Sequence, residues 1–332
     1  MTVKRILVAT PYAKDLERWQ SILSTQDELQ IKAHSPGLME LFNQVEHDPP
    51  HLVLVSADLC ALEEFELVMT LFKVLDVRWL KFKGLNHVDT GPAADAEFAR
   101  RGGLFELSLL DSEKSLVSTI RSAVLASQQR ESRVKQPEQV ANRRFKRMIL
   151  IGSSTGGVDA LKEVLAKFGR DCPPTVVVQH TSKGFGEGLV RVLSRSCAAR
   201  IELFEPNAPL RSGTVYIVAG LKRHAVLTSD KQPRLKSGNE QLKSGHCPSI
   251  DVLFASSVPF ATRIVGCILT GMGTDGAEGL LHLRQAGART ISQDRDSSVV
   301  YGMPAAAWSL GGSMQQVPLK AIGETLLREA AL

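Results

Sequence analysis

"MILIGSSTGGVDALKEVL", residues 148–165, decides the fold. Met148–Ile151 reads as a short buried strand. The uncharged turn GSSTGG follows, and from Asp159 to Lys167 apolar residues recur at helical spacing. A strand that runs through a glycine-rich turn into a helix is the opening unit of a parallel α/β sheet. Outward from it, strands are expected at Thr175–Gln179, Val215–Val218, Ile264–Thr270 and Thr290–Ser292. Helices are expected at Asp159–Lys167, Gly188–Arg195, Ser249–Ser257, Gly276–Ala286 and Pro304–Ser309. Gly220–Gly245 reads as an irregular or β-hairpin insertion.

The first part of the chain alternates in the same way. Residues 5–10, 29–34, 51–56, 77–82 and 104–109 read as strands. Residues 14–23, 38–46, 63–75, 93–101 and 115–126 read as helices. Five βα units predict a second parallel, doubly wound α/β sheet, with the flavodoxin-like strand order as the natural expectation. Between the two parts, residues 128–147 hold seven Lys or Arg and two Glu, with a proline in the middle. The division is therefore a first domain over 1–127, a basic polar linker over 128–146 and a second domain over 147–332. That segment's excess of five positive charges equals the +5 of the whole chain. Neither domain is then a basic platform for nucleic acid, and the linker reads as a solvated tether. No apolar run reaches the ~18 residues of a membrane span, so no membrane insertion is expected. The five cysteines are scattered without a CxxC pair. That pattern fits a reducing, cytoplasmic setting and gives no metal-ligand spacing.

Three expected strand ends carry polar residues suited to chemistry: Ser154, His180 and Asp275. Sites in open α/β sheets form at the carboxyl ends of strands. A serine hydroxyl needs a base, an imidazole can be that base near neutrality, and a carboxylate fixes the imidazole tautomer. Gly152–Gly156 fits G-x-S-x-G, a turn that exposes its central serine and offers the Thr155 amide to an oxyanion. A phosphate loop would need Lys after Gly157, where Val158 and Asp159 stand. Each residue alone has a plain reading. Ser153 competes with Ser154, a lone histidine is usually structural, and Asp275-Gly276 is a common turn dipeptide. His224 and His246 lie in polar loops that could line a cleft. From the residues alone, a nucleophile turn and a structural turn stand about even, and the coincidence of all three groups favours chemistry.

In chain order, IGSSTGG (151–157), QHTSKGFG (179–186), PSIDVLFASS (248–257), ILTGMGTDGAEGL (268–280) and YGMPAAA (301–307) together resemble the catalytic domain of the chemotaxis protein-glutamate methylesterases of CheB type. The resemblance implies a three-layer αβα domain with Ser154 as nucleophile, His180 as base and Asp275 as carboxylate. It also implies oxyanion amides at Thr155 and Met272 and no cofactor. The implied reaction is hydrolysis of glutamate methyl esters, with deamidation of glutamines in many members. The implied substrate is the cytoplasmic helices of methyl-accepting chemoreceptors, with chemosensory array proteins as partners of the first domain. The family's first domain is a phosphoacceptor receiver, and here this chain departs. Thr10-Pro11 replace the acidic pair, Ser56 stands at the acceptor aspartate, Leu109 near the lysine and Lys83 near the switch Ser/Thr. No phosphoacceptor or Mg²⁺ site is therefore expected. The alternative reading is a non-catalytic scaffold of a signalling array.

Overall fold

The computed structural model describes residues 3–62, 64–85, 106–125, 145–228 and 233–331. It divides into two compact units, Met1–Arg133 and Val134–Leu332. The expected helix over 93–101 and the linker over 128–144 lie outside the described residues.

In the first unit, strands β1 (Lys4–Ala9), β2 (Leu29–Ser35), β3 (Leu52–Ser56), β4 (Arg78–Lys83) and β5 (Glu106–Ser108) form one parallel sheet in the order β2-β1-β3-β4-β5. That is the flavodoxin-like order. Every residue of β3 is buried, as a central strand covered on both faces requires. The helices are α1 (Ala13–Leu23), α2 (Leu38–His47), α3 (Ala57–Cys60), α4 (Phe65–Leu75) and α5 (Glu113–Leu125). The single helix expected over 63–75 is preceded by the separate turn α3. Trp19 of α1 is fully buried and meets the Phe82 ring of β4 edge-on, with centroids 5.4 Å apart.

The second unit is a seven-stranded parallel sheet. Its strands are β6 (Met148–Ser153), β7 (Thr175–Gln179), β8 (Arg200–Leu203), β9 (Thr214–Val218), β12 (Ile264–Ile268), β13 (Arg289–Gln293) and β14 (Gln315–Val317). The order is β14-β13-β12-β6-β7-β9-β8. Helices α6 (Gly157–Leu165), α7 (Gly186–Ser194), α8 (Ile250–Ser256), α9 (Ala277–Gln285), α10 (Met303–Ser309) and α11 (Leu319–Ala331) connect and follow the strands. The insertion is a hairpin of β10 (Ala225–Leu227) against β11 (Leu235–Ser237). β6, β7, β9 and β12 are buried throughout. The edge strands β8 and β14 are short and only partly buried, and their polar residues leave little apolar pattern to read.

Candidate active site

From β6 the chain builds β7, β9 and β8 on one side of the sheet, then returns to β12 on the other. The strand order switches between β6 and β12, the place where sheets of this kind carry their sites at the carboxyl edge. Ser154 directly follows β6, His180 directly follows β7, and Asp275 lies in the loop after β12. Backbone bonds tie these loops together. The Ser154 amide donates to Thr270 O (3.1 Å), and the His180 amide donates to Ser153 O (3.1 Å).

The imidazole and the carboxylate are in contact. His180 Nε2 lies 2.9 Å from Asp275 Oδ2, with both side chains almost wholly buried. Asp275 takes three further bonds, from Ser249 Oγ (2.7 Å), Ile250 N (2.8 Å) and Asp251 N (3.2 Å). The last two are amides at the start of α8, where a carboxylate meets unpaired donors. Burial pushes the Asp275 carboxyl up, but the bonds from His180, Ile250 and Ser249 and the imidazole's charge outweigh it, and it sits below the usual range. An ionised carboxylate only accepts. In the neutral ring it therefore holds the proton on Nε2 and leaves Nδ1 as the bare nitrogen. Nδ1 is buried and has no hydrogen-bond partner among the described residues.

The serine turn is held from below. Ser153 is fully buried and donates to Gln179 Oε1 (2.6 Å), which makes it a strut of the turn. Gln179 Nε2 donates to the carbonyls of Ser154 and His180, each at 2.9 Å. Thr270 Oγ1 donates to Thr155 O (2.9 Å). Gly156 has φ 79°, the left-handed region that glycine enters freely. Gly271 abuts Ser154: a Cβ there would lie 2.8 Å from Ser154 Cβ and 2.3 Å from Met303 Sδ. Ser154 is 5% exposed. Its Oγ forms no hydrogen bond among the described residues, so the bond to the imidazole is not closed in this geometry. The amides of Thr155 and Met272 likewise have no protein acceptor among the described residues.

Gln179, Ser249 and Thr270 belong to the site but were not singled out from sequence, whereas His246, expected in a polar loop that could line a cleft, lies against the His180 ring. Ser249 caps α8 by accepting from Val252 N. A serine before an apolar helical run announces such a cap, yet nothing local says that its hydroxyl reaches Asp275. His224 is buried behind the cap. Its Nδ1 accepts from Ser249 N (3.0 Å) and its Nε2 donates to Gln241 O (2.6 Å). It supports the site and does not line a cleft. Among the described residues no three His, Cys, Asp or Glu side chains gather as a metal site would require. No helix among them is long and apolar enough to cross a membrane.

In the first unit, the edge where a receiver would accept phosphate carries other groups. Ser56 ends β3 fully buried, its Oγ without a partner among the described residues. Asp15, buried at the start of α1, accepts from Thr10 Oγ1 (3.3 Å) and Leu85 N (3.0 Å).

Fold and site define a class: a doubly wound α/β domain that brings a serine, an imidazole and a carboxylate to the carboxyl edge of its sheet. A family model described as CheB methylesterase matches residues 149–326. A protein of Agrobacterium fabrum named protein-glutamate methylesterase/protein-glutamine glutaminase is 33% identical over 324 residues, 93% of this chain and 91% of that protein. A Rhizobium johnstonii protein of the same name, numbered 1, is 46% identical over 197 residues, covering 59% of this chain and 57% of the relative. The crystal structure of the Thermotoga maritima CheB methylesterase catalytic domain superposes with a TM-score of 0.53 at 27% identity, covering 55% of this chain and 97% of that one. The chain belongs to the CheB methylesterase family, and it is an enzyme, a carboxylic ester hydrolase.

Proposed function

We propose that the chain hydrolyses methyl esters of glutamate side chains on the cytoplasmic helices of methyl-accepting chemoreceptors, and deamidates glutamines there, through Ser154, His180 and Asp275. One observation carries the assignment of roles. Asp275 holds His180 by Nε2, and the other ring nitrogen is buried and bare. Nδ1 then takes the Ser154 proton as Oγ attacks the ester carbonyl carbon. The tetrahedral oxyanion meets the Thr155 and Met272 amides. The imidazolium returns the proton to the departing methoxide, and methanol leaves an acyl-serine. Water, deprotonated at the same nitrogen, cleaves that ester and frees the glutamate. With a glutamine the leaving group is ammonia. The relatives' names carry both activities.

The first domain, over 1–127, acts in this reading as a pseudo-receiver that contacts chemosensory array proteins and does not switch by phosphorylation. Its edge does not fit a Mg²⁺ site, because Thr10 and Pro11 follow β1 and Ser56 ends β3. A hard cation there would need clustered carboxylates. The test is methanol release from a methylated receptor, with wild type and Ser154→Ala compared. The variant is expected to lose release by several orders of magnitude, and equal rates would sink the assignment.

A further inference from the structure

His246 lies flat on His180. Their ring centroids are 3.7 Å apart and their planes differ by 9°. The placement is built. Lys243 and His246 exchange two backbone hydrogen bonds (3.1 and 3.0 Å) around a two-residue turn. Its central residues, Ser244 and Gly245, both have positive φ, 54° and 81°. That is what the tightest hairpin turn demands, and a glycine meets it at no steric cost. Ser244 Oγ donates to Asp251 Oδ2 (3.2 Å), and Asp251 Oδ1 accepts from Gly279 N (2.8 Å). The turn is thereby pinned to the start of α8, whose amides hold Asp275. One short run, residues 243–251, holds the carboxylate that orients the imidazole and presses a second ring on that imidazole's face.

We propose that His246 is a positioning residue for the base, its stacked ring fixing the plane of His180 so that Nδ1 is presented to Ser154. The reason is geometric. A single hydrogen bond at Nε2 sets one distance and leaves rotation of the ring plane soft. A ring lying parallel at 3.7 Å removes that freedom. A base misaligned by even about 1 Å can cost a hundredfold in rate. The inference rests on the triad reading above and adds to it a residue that acts through the base.

The experiment uses the full chain and a fluorophosphonate probe, which reports serine activation without any receptor, alongside steady-state methanol release. For His246→Ala, labelling and kcat are expected to fall together by ten- to a hundredfold, with KM within twofold. His246→Phe keeps a flat ring and has no nitrogen, and it should recover both rates to within about threefold of wild type. Far-UV circular dichroism of each variant shows that it is folded at the assay temperature. His246→Ala at wild-type rates, or His246→Phe as slow as His246→Ala, overturns the proposal, the second by showing that stacking is not what His246 supplies. Ser154→Ala separates the two layers. If wild type is not labelled at Ser154, the triad reading falls and this inference with it. If wild type is labelled and His246→Ala is unaffected, this inference alone falls.

Discussion

Ser249 and Asp275 share the shortest polar contact of the carboxylate's cradle, 2.7 Å from Oγ to Oδ1, although they lie far apart in sequence. The carboxylate that orients His180 is thus itself oriented, by a helix cap from another part of the chain. Asp275→Asn keeps the shape but lets the imidazole adopt the wrong tautomer. On the Ser-His-Asp template its kcat should fall about ten-thousandfold with little change in KM. Ser249→Ala removes one of four bonds and should cost about tenfold, since second-layer partners typically contribute that much or more. Steady-state methanol release measures both. A Ser249→Ala loss as large as that of Asp275→Asn would mean that the cap, not the charge, does the orienting.

Neighbouring carboxylates here titrate in opposite senses. Asp275 is held below the ordinary value for the reasons given above. Asp251 is raised, by burial first and by the Asp275 charge beside it, against bonds from Gly279, Gly276 and Ser244 that lower it. The sign follows from linkage. A depressed folded value means that Asp275 stabilises the fold above its unfolded pKa of about 3.9. That stability is lost as pH falls through the folded value. A raised folded value means that Asp251 opposes folding as pH rises past the same point. In thermal melts, Asp275→Asn should be well below wild type at pH 7, with the gap closing below about pH 3.9. Asp251→Asn keeps an acceptor for Gly279 and should cost less at pH 7 than Asp275→Asn. The reverse order of the two variants would contradict this account.

Gly271→Ala tests how closely the backbone approaches the nucleophile. The added methyl would sit 2.3 Å from Met303 Sδ and 2.8 Å from Ser154 Cβ. Met303 is fully buried and has little room to retreat. Overpacking of this kind costs about 1–3 kcal/mol. Part of the relaxation moves Ser154, so kcat should drop at least about tenfold, beyond what the loss of stability explains. A variant that melts lower but turns over normally would show that Met303 yields and the serine does not.

How much of this was legible beforehand depends on the range of the interaction concerned. The strand Thr175–Gln179 matches its expected limits because five buried residues in a row leave one period to read. β8, β14 and α11 were not read, since the two edge strands are short and half-polar. Ser154, His180 and Asp275 stood out as candidates because residues of those types follow expected strands, and the structure brings the last two into contact. The supporting residues did not stand out. Gln179 bridges Ser153, Ser154 and His180, and Thr270 reaches Thr155 and Val300. Which strands lie side by side decides those contacts, and β6, β7 and β12 become neighbours only once the sheet order is known.

Three of the five thiols should be inert in the folded protein. Burial pushes Cys172 up to about 12, with the neighbouring Cys197 adding to it, and pushes Cys197 up to about 11. Cys267 is fully buried and raised by that burial alone. Thiolate is the reactive form. At pH 8 a disulfide reagent such as Ellman's should therefore titrate no more than two thiols quickly, the half-buried Cys60 and Cys247. The other three should appear only in denaturant. A third fast thiol in the native protein would contradict the packing around Cys172 and Cys197.

The first unit makes the last prediction. A receiver-type phosphoacceptor needs a carboxylate at the end of β3, yet Ser56 stands there, fully buried, its hydroxyl without a partner among the described residues. Asp15, buried at the start of α1, is already engaged by Thr10 and the Leu85 amide. Treatment of the full chain with acetyl phosphate and Mg²⁺ should leave no acid-stable, base-labile acyl phosphate within residues 1–127, and methylesterase turnover should not change. Ser56→Asp alone should not restore labelling, because Thr10 and Pro11 still follow β1 where a cation would need carboxylates. It should also destabilise the unit, since it puts a charge where the side chain is fully buried. Stoichiometric labelling of the wild-type chain, with a matching rise in methanol release, would mean that another carboxylate accepts the phosphoryl group and that the domain still switches.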